Sequence, residues 1–382
     1  MKFKINRLRL VEELANVSRA ISSKATIPVL TGIKLALNQH ELTLIGSDTD
    51  ISIESILSSD NEKLNLQIER TGSIVLPTRL LNEVVRKLPT DTVEIEVNDQ
   101  FLATITSGQA VFQINGVDGA QYPLLPDIQT NQRLKLPTMF FKQMVHQTIF
   151  AASNQETRPV LTGIHLTFDE HSMTAVATDS HRMGLRQIPL EIPTDFDHSV
   201  ALNVPKKTLL ELTRIVEDEQ DLYLAISDQQ VIFTVDHLTI YSRLIEGAYP
   251  DTSRFVPENY TTTITIDAPE FLNAVDRAGL LAHEAKNNNI QLNVEGNAAY
   301  LSVQGNEVGH VEEELKAQKI EGEPIKISFN PDYMKDALKA FTQGTVELRL
   351  TSAVRPLVLV PVFSTEVPHS QLIQLLTPIR TH

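Results

Sequence analysis

The sequence contains no cysteine. That excludes a disulfide framework, a thiolate zinc site and a cysteine nucleophile, and it fits a reducing compartment. Residues 1–10 alternate charged and apolar side chains and lack the apolar core of a signal peptide. No run approaches the roughly 20 apolar residues of a membrane span. We therefore expect a cytoplasmic protein with no membrane partner. Neither Gly-x-Gly-x-x-Gly nor Gly-x-x-x-x-Gly-Lys-Ser/Thr occurs, so nucleotide binding has no support in the sequence. His283-Glu284 begins a zinc-protease pattern without its second histidine, and His165, His171 and His181 do not have zinc-ligand spacing. Asp179, Ser180 and His181 are adjacent, whereas the members of a hydrolytic triad converge from separate segments. No metal, no cofactor and no catalytic residue is expected.

Positive charge is also scarce: 33 Lys and Arg stand against 48 Asp and Glu, a formal net charge of −15. Taken as an average, this argues against nucleic-acid binding, which usually has a basic footprint. The average misleads only if the basic residues are sorted onto one surface.

The 382 residues suffice for two or three domains, each with its own core. An internal repeat decides between these. Pro28-Val29-Leu30-Thr31-Gly32-Ile33-Lys34-Leu35 returns as Pro159-Val160-Leu161-Thr162-Gly163-Ile164-His165-Leu166, and at the same offset Gly46-Ser47-Asp48 falls on Ala177-Thr178-Asp179. Leu76-Pro77, Val204-Pro205 and Asn330-Pro331 form a second series, each followed by apolar residues at helical spacing. Gly119-Ala120-Gln121-Tyr122-Pro123 is echoed by Gly247-Ala248-Tyr249-Pro250. The chain reads as three domains of one fold, 1–128, 129–256 and 257–382, with the third copy the most degenerate. Within a copy, Leu10, Leu14, Val17 and Ile21 have helical spacing, and alternating runs such as Ile33, Leu35, Leu37 and Val93, Ile95, Val97 are separated by turns. Each domain is expected to be α+β, made of two halves that each join a helix to antiparallel strands.

The six expected helices, Arg7–Lys24, Thr78–Leu88, Thr138–Ala152, Lys206–Glu217, Ala268–His283 and Asp332–Phe341, hold fourteen Lys or Arg against nine Asp or Glu. Strands and loops therefore carry the acid. A helical lining that faces DNA would need this sorting, because Lys and Arg neutralise phosphates without reading sequence. Solvated helix faces would give the same excess, so charge alone leaves both open.

Ala177-Thr178-Asp179-Ser180-His181-Arg182-Met183 resembles the ATDxHRL signature of the bacterial β sliding clamps, the processivity subunits of the replicative DNA polymerase. Tyr249-Pro250-Asp251 with Arg254, Phe329-Asn330 with Tyr333, the closing Thr377-Pro378-Ile379-Arg380 and the opening Met1-Lys2-Phe3 are similar to further family segments in the same order. The resemblance spans the chain. It implies a non-enzymatic homodimer whose two copies of three clamp domains form a six-domain ring around double-stranded DNA, sequence-independently, with helices inside and sheets outside. The implied partners are the alpha subunit of the replicative polymerase, a clamp loader that would be the only user of ATP, and other replication and repair proteins with a clamp-binding motif.

The resemblance also implies three sets of site residues. A peptide pocket would be built from Leu161, Thr178, Ser180, His181, Arg182, Met183, Pro250, Arg254, Phe255, Asn330, Tyr333, Val354, Leu375, Pro378, Ile379 and Arg380, an apolar floor with a polar rim for a linear motif. Thr377 stands where many relatives have methionine, which would make that wall shallower. Phe112 and Ile114 of one subunit would meet Leu280 and Leu281 of the other at the dimer seam. Lys24, Arg79, Gln155, Lys206, Lys207 and Arg214 would contact DNA. A repeated-domain scaffold that binds peptides without encircling DNA is the alternative, and salt-sensitive sliding on DNA separates the two.

Overall fold

The structure is a computed structural model that describes residues 1–22, 25–126, 133–193, 200–227, 229–285, 288–305, 309–341, 344–362 and 367–380. Six α-helices occur among the described residues: α1 (Arg7–Ser18), α2 (Thr78–Lys87), α3 (Thr138–Thr148), α4 (Lys206–Ile215), α5 (Ala268–Glu284) and α6 (Pro331–Lys339). Each lies within a segment read as helical from the sequence or within one residue of it. The chain divides into two compact units, 1–138 with 208–244 and 139–207 with 245–382, so the central repeat contributes to both.

In the first unit, a five-stranded antiparallel sheet runs in the order Gln67–Arg70, Lys2–Asn6, Thr92–Val97, Leu102–Ser107, Ala110–Asn115. A nine-stranded sheet begins Val117–Asp118, Gly72–Pro77, Gly32–Leu37, Glu41–Ser47, Ile51–Ser58, and continues with Leu238–Arg243, Gln230–Val235, Leu222–Ser227 and Arg133–Leu136. The join, with Ile53 opposite Ile240, covers what would otherwise be two open strand edges. Helix α1 starts where the side-chain oxygen of Asn6 accepts from the Arg9 N–H. It buries Leu10, Leu14 and Val17, the stripe expected from their spacing. It ends at Ser18, so Ile21 lies beyond the helix. The strand Glu41–Ser47 runs so close beneath that a Cβ on Gly46 would overlap the Val17 carbonyl oxygen, which only glycine permits. Phe101 sits in the Asn98 turn with a φ of 57° and its N–H on the Asn98 carbonyl.

In the second unit, a nine-stranded sheet has the order Ala201–Pro205, Gly163–Asp169, Ser172–Thr178, Arg182–Pro189, Gln371–Leu376, Leu357–Pro361, Thr345–Leu350, Thr262–Asp267, Lys319–Gly322. Its central join sets Met183 opposite Leu375. A four-stranded sheet follows the order Gly309–Glu314, Ala298–Gly305, Ile290–Glu295, Ile325–Phe329. Helix α5 is capped by Asp267 and buries Phe271, Ala274, Val275, Ala278 and Ala282 in the main core with Phe329, Met334 and Leu338. Gln147 near the end of α3 is buried, donates to the Ala340 carbonyl at 3.0 Å and accepts at its own carbonyl from Gln374 at 2.8 Å. The sheet is thereby tied to two helices through groups that water cannot reach. No helix among the described residues is long and apolar enough to cross a membrane.

Candidate functional site

The second unit carries a hollow of about 1190 Å³. Five stretches of chain build it: Leu161 with Arg158, the turn between Thr178 and Met183, the segment Pro250 to Asn259, the loop Thr351 to Pro356, and Leu375 with Thr377. Its floor is apolar, because Leu161, Met183 and Leu375 are 5%, 1% and 3% exposed. Met183 and Leu375 belong to a small cluster with Val176, Val358 and Ile373. The rim is polar and accessible, with Ser180, Ser253, Arg254 and Arg355 exposed. Phe255 adds an exposed aromatic ring. Apolar anchoring below and polar selection above are what a linear segment with apolar side chains would require.

Local hydrogen bonds fix the turn at the hollow's edge. Thr178 Oγ1 donates to the Arg182 carbonyl at 2.7 Å. Asp179 Oδ1 accepts from the backbone N–H groups of His181 and Arg182 at 2.9 and 3.0 Å, and its Oδ2 from Arg182 Nε at 2.9 Å. Ser180 takes a φ of 77° at the apex. Asp179 is thus a turn-forming residue whose two oxygens both accept hydrogen bonds from its own turn. The first repeat makes the same turn: Asp48 accepts from Asp50 and Ile51, and Thr49 has a φ of 99°. Arg182 also reaches Asp336 of α6 at 2.8 Å and lies over the Tyr333 ring. The hydroxyl and N–H of Ser253, and then Arg254, hold the Asp251 carboxyl below its ordinary value. In return Asp251 Oδ2 orients Arg254 Nε at 2.8 Å.

Nine of the sixteen residues expected at the pocket line the hollow: Leu161, Thr178, Ser180, Arg182, Met183, Pro250, Arg254, Phe255 and Leu375. The other seven lie outside its lining. His181 is exposed, with its ring 6.5 Å from that of Tyr333. Asn330 caps α6 by accepting from Asp332 and Tyr333 N–H groups, and Tyr333 supports Arg182. Val354 is exposed beside Arg355. Pro378 and Ile379 are half-buried, with the Ile379 N–H on the Ser328 carbonyl, and Arg380 is exposed. The sequence did not indicate Arg158, Ser253, Val256, Pro257, Glu258, Asn259, Thr351, Arg355 or Pro356. Most of these flank indicated positions along the chain, which is the only signal that would have found them. Thr377 closes one wall by donating its N–H and its hydroxyl to the His181 carbonyl at 2.8 and 2.9 Å.

A smaller hollow, about 270 Å³, occupies the first unit and is lined by Leu30, Ser47, Thr49, Asp50 and Ser52 among others. These are the repeat counterparts of Leu161, Thr178, Ser180, His181 and Met183. Ser52 in place of Met183 removes one apolar side chain, while Leu30 and Leu125 stay in the lining.

The basic residues expected at DNA are differently placed. Lys24 lies outside the described residues. Arg79 is almost fully exposed and paired with Glu83 at 3.1 Å. Arg214 pairs with Glu211 at 2.7 Å, and the other oxygen of Glu211 takes Arg19 at 3.2 Å. Lys206 donates to Asn154 at 3.2 Å, and desolvation, with repulsion from Arg182, lowers its pKa. Lys207 and Gln155 are exposed. On the edge strand Ala110–Asn115, Phe112 is 41% exposed but Ile114 is 3% exposed. The apolar surface of that edge is therefore carried by Val111 and Phe112, and Ile114 belongs to the interior. Leu280 on α5 is 70% exposed, whereas Leu281 packs against the unit's core. Among the described residues, no group of three or more His, Asp or Glu is placed to hold a metal ion.

Three family models match consecutive parts of the chain: the DNA polymerase III beta subunit N-terminal domain over residues 1–126, its central domain over 135–251 and its C-terminal domain over 253–374. The beta sliding clamp of Bacillus subtilis is 42% identical over 386 residues, covering all of both chains, and that of Staphylococcus aureus is 41% identical over 385. The crystal structure of the Bacillus subtilis DNA polymerase sliding clamp superposes with a TM-score of 0.95 at 41% identity, and that of the Streptococcus pneumoniae DNA polymerase III beta chain with 0.95 at 35%, each over the full length of both chains.

Proposed function

The chain belongs to the DNA polymerase III beta subunit family and functions as a sliding clamp, and from that premise we propose how its own residues do this. Two copies close head to tail into a ring of six domains, with boundaries near residues 128 and 256 in each chain. Heterologous contacts of this kind close when the rotation between copies permits. The seam joins the edge strand that carries Phe112 to the α5 surface that carries Leu280, with Ile114 and Leu281 supporting from within. The ring encircles duplex DNA, and Arg79, Gln155, Lys206, Lys207 and Arg214, with Lys24, meet its phosphates. Exposed Arg79 and Lys207 suit weak, sequence-independent contact. Topology retains the protein on DNA, so no single contact has to be tight and sliding stays unhindered. The chain contributes no chemistry of its own to the polymerase.

The large hollow takes the linear motifs of partner proteins: the alpha subunit of the replicative polymerase, the clamp loader, and other replication and repair proteins. The observation that supports this most is the apolar floor of Leu161, Met183 and Leu375 beneath an accessible polar rim. A labelled Gln-x-x-Leu-Phe peptide titrated by fluorescence anisotropy should bind saturably at micromolar concentration and more weakly to Arg254→Ala. Absence of binding to the wild type would take the docking role away from the hollow. For the ring, retention on nicked circular DNA after loading, with release on linearisation, is the expected result. Nanomolar equilibrium binding to a short linear duplex at physiological salt would contradict topological retention.

A further inference from the structure

The large hollow is lined by four arginines, Arg158, Arg182, Arg254 and Arg355, and by a single acidic residue, Glu258, in a chain where acid outnumbers base. The four arginines are not equivalent. Arg182 is committed to Asp179 and Asp336. Arg254 is held by Asp251. Arg158 reaches the Ser180 hydroxyl at 3.4 Å. The guanidinium of Arg355 has no partner among the described residues. Yet its backbone is fixed: its N–H donates to the Ser352 carbonyl, and Pro356 follows, restricting the conformation of Arg355 itself. The side chain is exposed. A cation with a restrained backbone, lining an apolar hollow and without a counter-charge among the described residues, contributes nothing evident to folding.

We propose that Arg355 is a specificity-determining residue of this hollow and receives a carboxylate from the docked peptide. This rests on the docking role proposed above and names the ligand class more closely: an apolar linear segment carrying Asp or Glu beside its anchors, or ending in a free carboxyl. The planar guanidinium suits a carboxylate, which it can engage through two parallel hydrogen bonds. The local positive charge favours such a ligand against the repulsion of the acidic chain as a whole, and it does so only within a Debye length. Glu258 narrows the choice by disfavouring carboxylates placed against it.

The test uses the full chain and three labelled peptides with the same Leu-Phe anchors: Asp-flanked with an amidated end, Asn-flanked with an amidated end, and Asn-flanked with a free carboxyl end. Each is titrated against wild type, Arg355→Gln and Arg355→Glu, at low and high salt. Wild type is expected to prefer one or both carboxylate-bearing peptides by about three- to fivefold, the range of a partly exposed charge pair. The preference should fall towards one in Arg355→Gln, invert in Arg355→Glu and shrink with salt. Preference for the Asp-flanked peptide would identify a side-chain carboxylate, and preference for the free-ended peptide a terminal one. A preference that survives both substitutions, or substitutions that weaken all three peptides equally, would overturn the assignment. If wild type binds none of the peptides, the docking role itself fails and the assignment with it. Thermal melts of the two variants should match wild type, as expected for an exposed residue.

Discussion

Arg182 lies over the ring of Tyr333, with its guanidinium carbon 4.4 Å from the ring centroid. The same guanidinium bonds Asp179 within its own turn and Asp336 on α6, 154 residues away. One largely buried cation therefore sets the turn at the hollow's edge against the helix behind it. Arg182→Ala should cost about 3 kcal/mol, because it leaves the largely buried Asp179 without its counter-charge and Asp336 with only Lys339 at 3.5 Å. Urea unfolding checks this. A loss below about 0.5 kcal/mol would mean that the pair is solvated in practice.

Two substitutions in the hollow should differ in kind. Met183 is 1% exposed, so Met183→Ala removes part of a packed floor and should cost about 2–4 kcal/mol of stability as well as weakening peptide binding. The side chain of Arg254 is 83% exposed, and Arg254→Ala should weaken the peptide with a stability change within about 0.5 kcal/mol. Parallel urea melts and anisotropy titrations separate the two. Equal destabilisation by both would move Arg254 from the rim into the fold.

In the first unit, Glu13 of α1 is buried and bonded to His237 Nε2 and Ser55 Oγ, each at 2.9 Å. Hydrogen bonding to Glu13 raises His237 above its ordinary 6.5, against the effect of burial. Burial would raise Glu13, but its bonds from His237 and Ser55 prevail and hold it below its ordinary 4.5. His237 thus contributes stability that is full below about pH 6.5 and lost as the pH rises through its folded value. Glu13 contributes above about pH 4.5 and loses its contribution as the pH falls through its folded value. Stability from the pair should be greatest between these limits. From pH 6 to 8 wild type should lose more stability than His237→Gln, by under about 1 kcal/mol, because the half-exposed imidazole is screened by solvent. Parallel curves for the two proteins over that range would show that the pair does not titrate.

Leu280→Asp should produce monomers. A charge there, on a residue 70% exposed in one chain, disturbs no core but is costly to bury at a seam. Sedimentation velocity distinguishes the states, and the variant's melting temperature should depend less on protein concentration than the wild type's. A dimer that persists at micromolar concentration would place the seam elsewhere.

Helix α6 depends on Asn330, whose side-chain oxygen accepts from the N–H groups of Asp332 and Tyr333. Asn330→Ala should cost about 1 kcal/mol. Asn330→Asp should retain most of that stability while Asn330→Ala loses it, and a calorimetric comparison decides. An effect on peptide binding larger than the effect on stability would return Asn330 to the docking surface.

The sequence by itself determined the repeat, the six helices and most of the strands, because these depend on neighbours a few residues apart. Apolar spacing chose the face of α1, Asn6 and Asp267 began their helices, and Asp48 and Asp179 each folded a turn from their own backbone. The central residues of the hollow were legible through the family resemblance, which the short motif from Ala177 to Met183 carries. Tertiary structure decided the rest. Only packing brings Arg355 and Arg254 to one hollow, or pairs Arg182 with Asp336, because nothing local carries information across such separations. Packing also divided equivalents. Phe112 and Ile114 share a strand, yet one is open and the other interior, and Leu280 and Leu281 differ in the same way. Asn330 and Tyr333, expected at the ligand, lie outside the hollow's lining, where one caps α6 and the other lies under the Arg182 guanidinium. The division follows from the range of the interactions: hydrogen-bonded turns, caps and periodicity are fixed within a few residues, whereas burial is fixed only when distant segments meet.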